Sequence, residues 1–208
     1  MGHRVGSSWA DRARVCGTIA AWGMVAAGGV AAQGISRPDA NDARDGRPFA
    51  IVDKRAATLS VYAADGSLLG RTATLLGLTP GDAEVPGSRG KAPDALTVQE
   101  RTTPAGRFEA QPGLNLHGER VVWIDYGASL AIHRLRPAPA RERRPERLAS
   151  ANPLERRITL GCVVVDPAFF ERVVLPSLGS GKGGLVYILP EREPIVAAAA
   201  GSARAAAP

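Results

Sequence analysis

The sequence predicts a mainly β fold: a small mixed β-sandwich with one or two short helices. Two observations favour it. Short apolar or alternating segments recur between turn residues, and the 208-residue chain contains 24 glycines and 16 prolines. A hydrophobic content of 45% is enough for one sizeable core. The length therefore predicts one domain with flanking segments.

The elements follow from these patterns in chain order. Strands are predicted at residues 49–53, 58–62, 68–76, 107–110, 114–116, 120–124, 129–133, 158–165 and 185–189. Asp65-Gly66 predicts a tight turn, and His117-Gly118 a second one. Asp166 followed by Pro167 is typical of a helix start, with the aspartate as N-cap. The folded domain is expected at residues 48–191.

Residues 1–33 are predicted to be a signal peptide. Three arginines precede an apolar run at 15–30, which ends in small residues with cleavage expected after Ala32 or Gln33. The alternative is one N-terminal membrane anchor, but the run is short and rich in glycine and alanine. We therefore expect a periplasmic or cell-envelope protein with no stable membrane insertion after cleavage. Residues 34–47 are predicted to be a flexible linker, and 192–208 a disordered alanine-rich tail.

Cleavage would remove Cys16 and leave Cys162 as the single cysteine. Such a thiol is either buried and inert or reactive. Gly161 before it allows unusual torsions and close approach of a substrate, with nearby amides turned toward an oxyanion. With two histidines far away in the chain, no metal site and no cofactor are expected.

His133 is the candidate base for Cys162. It ends an apolar strand, and a thiol needs a base to act as a nucleophile near neutral pH. A thiol–imidazole pair would lower the cysteine pKa below its free value of about 8.5. The alternative is a surface histidine beside Arg134.

Several stretches together resemble the L,D-transpeptidase catalytic domain, also called YkuD-type. They include Thr103-Pro-Ala-Gly-Arg-Phe, Ala131-Ile-His133-Arg and Arg157-Ile-Thr-Leu-Gly-Cys162. The resemblance implies that Cys162 attacks a peptidoglycan stem peptide between its L- and D-centres, with His133 as base. It also implies that backbone amides near Gly161 hold the oxyanion, that the carbonyl of Arg134 orients His133, and that carbapenem-type inhibitors acylate the cysteine.

The sequence departs from the family pattern in three places. Leu160 replaces a common histidine, Val164 replaces an asparagine or arginine, and a basic insert at 134–157 lengthens the spacing from histidine to cysteine. We hypothesise that Arg156 or Arg157 takes over the polar role that the Val164 side chain cannot fill. Both are predicted to bind substrate together with Thr159.

The basic insert carries eight arginines and three interleaved glutamates, with four prolines. That mixture, in an exported chain, argues against nucleic-acid binding. A solvated lid that attracts carboxylates is the preferred interpretation. We expect a monomer. Alternative functions are a peptidoglycan-binding homologue that has lost turnover, or a peptidase or lipoprotein-anchoring enzyme on the same fold.

We predict that the mature protein begins near Gln33 or Gly34 and lies beyond the cytoplasmic membrane, because residues 1–33 combine a basic start, an apolar run and small residues. N-terminal sequencing of the exported protein checks this. A protein that retains Met1 and remains in the cytosol would contradict it.

Overall fold

A computed structural model describes residues 46–181 and 183–191. The predicted signal peptide, the alanine-rich tail and all but the last two positions of the predicted linker lie outside the described residues. Within the described ranges, no helix is both long and apolar enough to cross a membrane.

Nine strands form the body of the domain. They are β1 (Phe49–Asp53), β2 (Thr58–Tyr62), β3 (Leu68–Gly77), β4 (Gly106–Leu114), β5 (Arg120–Asp125), β6 (Leu130–Arg134), β7 (Arg157–Thr159), β8 (Val163–Val165) and β9 (Gly184–Ile188). The helices are α1 (Arg144–Ala149), α2 (Pro167–Phe169) and α3 (Leu175–Leu178), with a π-helical turn at Phe170–Val174 between the last two. Short 3₁₀ turns occur at Pro93–Ala95, Ala140–Glu142 and Pro153–Arg156.

The strands follow the order β2-β1-β9-β4-β5-β6-β8-β3-β7, and β2 also pairs with β3. The long strands β3 and β4 each belong to two parts of the sheet. The first half of β4 pairs with β9 and its second half with β5, while β3 pairs first with β2 and then with β8. The sheet therefore folds over on itself around one core. The prediction of a mainly β sandwich with short helices is confirmed.

The core lies between the faces of this folded sheet and beneath the segment 167–178. The central strands β8 and β9 are buried along their whole length, whereas β4 alternates between more and less exposed residues over its first half. The helical segment adds three fully buried side chains, Phe170, Val174 and Leu178. The Asp166 carboxylate accepts a hydrogen bond from the Phe169 N–H at 3.0 Å, so the predicted N-cap is present.

Two predicted strand boundaries are wrong. Residues 107–110 and 114–116 were expected as separate strands, yet β4 is continuous to Leu114 because its two halves pair with different neighbours. Residues 158–165 were expected as one strand, yet they form β7 and β8 with a bend at 160–162. The apolar pattern continues across that bend, so periodicity alone did not reveal it.

The basic insert is held in place rather than loose. At its start, the Leu135 N–H donates to the Val165 carbonyl at 2.7 Å. Near its end, the Arg156 guanidinium donates to the carbonyls of Ala56 and Ala57. Within it, Arg147 donates to the Glu155 carbonyl at 2.9 Å. The insert, which was predicted to be a solvated lid, is therefore an ordered segment that hydrogen bonds fix at both ends.

A buried lysine connects the loops on one side of the domain. The Lys54 side chain is fully buried, and its ammonium donates to the Asp82 carboxylate at 2.7 Å and to the Thr103 carbonyl at 2.9 Å. Glu191 lies 3.7 Å from the ammonium and 2.8 Å from the Arg157 guanidinium. Burial lowers the pKa of Lys54, and the bond to Asp82 opposes that shift.

We predict that Lys54→Met lowers the free energy of unfolding by about 1–3 kcal/mol, because it removes the buried donor that the Thr103 carbonyl and the partly buried Asp82 carboxylate share. Arg89→Met is the matched control, since Arg89 is half-exposed and also pairs with carboxylates. It should change the free energy far less, because water screens the pair. Urea unfolding of both variants measures this, and equal losses would contradict the assigned role of Lys54.

Candidate active site

One cavity of about 830 Å³ contains both predicted catalytic side chains. Its wall includes the ends of strands β5 and β6, the bend before β8 and part of the basic insert. Among the lining residues are Thr102, Trp123, His133, Arg136, Arg144 and Cys162. Strand pairing explains why Cys162 and His133 line the same cavity. Strand β6 is parallel to β8, with His133 opposite Val164, and Cys162 lies two residues before Val164 on the same face.

The Cys162 thiol is half-buried and uncharged. Its Sγ lies 3.4 Å from the Ser129 carbonyl, to which the thiol donates. Burial raises the thiol pKa, while the Ala131 N–H and the charges of Arg136 and Arg144 oppose this. Among the described hydrogen bonds, none joins the thiol to His133. The expected lowering of the pKa by a thiol–imidazole pair is therefore wrong for this conformation.

His133 is positioned to accept a proton. Its side chain lies almost out of solvent, and Nδ1 is 2.9 Å from the Arg134 carbonyl oxygen. Because a carbonyl only accepts, Nδ1 carries the hydrogen and Nε2 keeps its lone pair. Burial lowers the pKa of His133 to about 4, although the Arg134 carbonyl raises it. The imidazole is thus neutral at physiological pH. The contact expected between Arg134 and His133 is present.

Thr159 and Gly161 shape the turn that presents the cysteine. The Thr159 hydroxyl donates to the Cys162 carbonyl at 2.7 Å and accepts from the Gly161 N–H at 3.2 Å. Gly161 has φ of +137°, and a Cβ there would lie 2.9 Å from the Thr102 carbonyl oxygen. Only glycine fits this position without strain. The unusual torsion expected at Gly161 is therefore present.

This turn alters two of the expected roles. The Gly161 N–H is already bonded to Thr159, so it is not free for an oxyanion. The Cys162 N–H takes part in no turn or side-chain hydrogen bond of the described residues, and it remains the candidate donor. Thr159 lines the cavity but its hydroxyl is committed to the turn. It therefore positions Cys162 rather than contacting a substrate through its hydroxyl.

Thr103 holds the same turn from the other side. It is fully buried, and its hydroxyl donates to the Gly161 carbonyl at 2.7 Å. The hydroxyl also accepts from the Gly77 N–H at 2.9 Å, at the end of β3. The sequence singled out the motif beginning at Thr103, but it gave no means of assigning this contact.

The predicted substrate contacts of Arg156 and Arg157 are wrong. Arg157 is buried, donates to the Lys54 carbonyl at 3.1 Å and pairs with Glu191. Arg156 is bonded to main-chain carbonyls at Ser150, Ala56 and Ala57. Neither lines the cavity. Arg157 begins β7, which pairs with β3, and Arg156 ends the 3₁₀ turn before it.

The insert instead brings Arg136 and Arg144 to the cavity. Sequence reasoning did not select these two among the eight arginines of the insert. The arginines of the insert alternate with prolines and glutamates without a period that would indicate which of them face the same side. The one sequence signal that could have pointed to Arg136 and Arg144 is the position of the insert directly after His133.

Comparison of the chain with known proteins finds similarity to solved structures, and not to family models or curated sequences. No protein-family model matches it, and no curated protein sequence matches it. Among solved structures it is similar to the L,D-transpeptidase of Xylanimonas cellulosilytica, with 17% identity and a TM-score of 0.42, covering 69% of this chain and 60% of that one.

Two further structures are similar. One is the catalytic domain of the E. faecium L,D-transpeptidase, with 17% identity and a TM-score of 0.40, covering 69% of this chain and 98% of that one. The other is L,D-transpeptidase 3 of Mycobacterium tuberculosis with a faropenem-derived adduct, with 17% identity and a TM-score of 0.34, covering 68% of this chain and 60% of that one.

We predict that the His133 ring titrates with a midpoint of about 4, because burial disfavours the imidazolium. NMR titration of the ring proton signal that His133→Gln removes measures it. The folded pKa lies below the unfolded value of about 6.5, so stability is complete above pH 6.5 and falls as the pH drops toward 4. The total loss from this residue is about 3 kcal/mol. A midpoint near 6.5 would contradict the described burial.

Proposed function

We propose that this chain is an exported L,D-transpeptidase that acts on peptidoglycan stem peptides through an acyl-enzyme on Cys162. The observation that carries the proposal is the placement of a thiol and a neutral, buried imidazole in one cavity. His133 offers Nε2 as an acceptor there, and its Nδ1 is tied to the Arg134 carbonyl. The motif resemblance supplies the substrate class.

In the first half-reaction, Sγ of Cys162 attacks the carbonyl carbon between the L- and D-centres of a tetrapeptide stem. For this step the thiol leaves the Ser129 carbonyl and turns to Nε2 of His133, which lines the same cavity. The thiol proton passes to Nε2 as the S–C bond forms. The C–N bond then breaks, and His133 gives the proton to the leaving amine of D-alanine.

In the second half-reaction, an acceptor amine attacks the thioester carbonyl. His133 takes the amine proton, the new amide forms, and the C–S bond breaks to release the thiolate. The imidazolium returns the proton to sulfur. The Cys162 N–H is the proposed oxyanion donor in both halves, because the Gly161 N–H is used by Thr159.

No metal or cofactor takes part in this scheme. The predicted signal peptide and the proposed peptidoglycan substrate both agree with a reaction in the periplasm or cell envelope. A monomer suffices, because every residue invoked comes from one chain. By the same reasoning, carbapenems acylate Cys162 by attack of Sγ on the β-lactam carbonyl, which opens the ring.

A second candidate is a peptidoglycan-binding homologue without turnover. Two observations favour it. Val164 has no polar side chain where the family commonly has one, and the thiol is bonded to the Ser129 carbonyl with a raised pKa. A peptidase or a lipoprotein-anchoring enzyme would use the same first half-reaction and differ only in the acceptor.

We predict that intact-mass analysis after incubation with a carbapenem, or with a tetrapeptide fragment of peptidoglycan, reveals a covalent adduct. Cys162→Ala should abolish the adduct, and His133→Gln should slow its formation by about 10²–10⁴-fold. Product analysis with a second stem peptide then identifies the acceptor.

The unfolding transitions of both variants serve as the control for folding. Binding of fragments without any adduct would support the homologue that lacks turnover. Adducts that form equally fast in the His133 variant would exclude the imidazole as base.

A further inference from the structure

The basic insert places two arginine side chains on the wall of the catalytic cavity. Arg136 follows strand β6 by two residues, and Arg144 begins helix α1. Their side chains are 30% and 22% exposed, respectively. Both are therefore accessible from the cavity but partly shielded from bulk water, where charge interactions are stronger than at an open surface.

Each guanidinium keeps donors for a ligand. Arg136 lies 3.2 Å from the Glu119 carboxylate through Nη1, and it shares that carboxylate with Arg134. Arg144 uses Nε for Glu142 at 2.5 Å, and its Nη1 and Nη2 appear in no hydrogen bond among the described residues. An arginine fork with free terminal donors matches the geometry of a carboxylate.

The balance of charge at this end of the cavity is positive. Arg136 and Arg144 line it together with one carboxylate, that of Glu119, while Arg134 and Glu142 pair with these residues without lining the cavity. The Glu84 carboxylate also lines the cavity and pairs with Arg89. Elsewhere on the wall, the Lys91 ammonium is paired with Glu100 at 2.5 Å.

The positive charge reaches the reacting groups. Burial is the largest influence on the pKa of Cys162 and of His133, and the charges of Arg136 and Arg144 act to lower both. Because Cys162 and His133 line the same cavity as the two arginines, an anion bound there would share that cavity with the thiol and the imidazole.

We propose that Arg136 and Arg144 form a carboxylate subsite for the donor peptide bound at Cys162. The inference rests on the proposed function for the identity of the peptide. The subsite takes over a contact that the Val164 side chain cannot make. The anchored ends of the insert hold it in place before the ligand arrives, which reduces the entropic cost of binding.

The test compares a tetrapeptide stem with two analogues. One has a carboxamide at its C-terminus, and the other has carboxamides on its internal acidic groups. Binding is measured by calorimetry in the Cys162→Ala background, so that turnover is not required. Acylation rates of the proteins that retain Cys162 are measured by intact mass. The substitutions are Arg136→Gln, Arg144→Gln and Arg144→Lys.

Arg141→Gln is the matched control, because Arg141 is an exposed arginine of the same insert that does not line the cavity. It makes the same change of charge. A general effect of net charge on association would appear equally in this control, whereas a specific subsite would not.

One carboxylate should strengthen binding by at least about tenfold over its carboxamide, the size of one charge-assisted contact. Arg136→Gln and Arg144→Gln should each cut that preference to about threefold or less and leave the affinity of the corresponding carboxamide peptide unchanged. Arg144→Lys should keep part of the preference, and Arg141→Gln all of it.

The proposal is overturned if neither carboxamide binds more weakly, if the preference survives both glutamine variants, if Arg141→Gln removes it equally, or if no peptide binds. Failure of the proposed function looks different. An arginine-dependent preference in binding without any acyl-enzyme would retain the subsite and exclude transpeptidation. An acylation rate that none of these arginine substitutions changes would retain the proposed transpeptidase and exclude the subsite.

Discussion

The placement of Cys162, the proposed nucleophile, depends on one buried hydroxyl. Thr103 Oγ1 accepts from the Gly77 N–H and donates to the Gly161 carbonyl, so it joins the end of β3 to the turn that carries Cys162. The Thr103 carbonyl in turn accepts from the Lys54 ammonium. Each of these groups is buried, and a buried polar group left without its partner costs about 1–3 kcal/mol. The turn therefore has one well-defined position, set by contacts that come from three separate parts of the chain.

Burial determines the resting protonation states of Cys162 and His133 in the candidate site. The same exclusion of water raises the pKa of Cys162 and lowers that of His133, so the two groups rest in their neutral forms. A neutral imidazole is a competent base, whereas a neutral thiol is a poor nucleophile until its proton leaves. Proton transfer and attack must then be coupled in time. The Ser129 carbonyl holds the resting thiol, and the substrate carbonyl is the partner that would draw sulfur away from it.

The sequence predicted the elements of the fold well and their junctions less well. Short apolar runs bounded by turn residues located most strands, because many of these strands are buried on both faces. The break at 160–162 was missed because the residues on both sides are apolar. Local pattern together with the family resemblance selected Cys162, His133 and Gly161, and all three line one cavity. The same reasoning misassigned Arg156 and Arg157, because closeness along the chain to the cysteine says nothing about which side of β7 faces the cavity. The partners of Arg157, Glu191 and the Lys54 carbonyl, are distant in sequence, and so are the Ala56 and Ala57 carbonyls that bind Arg156.

That misassignment clarifies how the basic insert works. Arg156 and Arg157 are bonded to the main chain and to Glu191 behind the site, so they anchor the C-terminal end of the insert. The N-terminal end is fixed by the ladder that continues from β6 to Leu135. The segment between these anchors lies beside the cavity. Val164 is 1% exposed and opposite His133, so a polar side chain there would need a partner at very short range. Placing positive charge on the insert avoids that desolvation cost, because its arginines remain partly solvated until a ligand arrives.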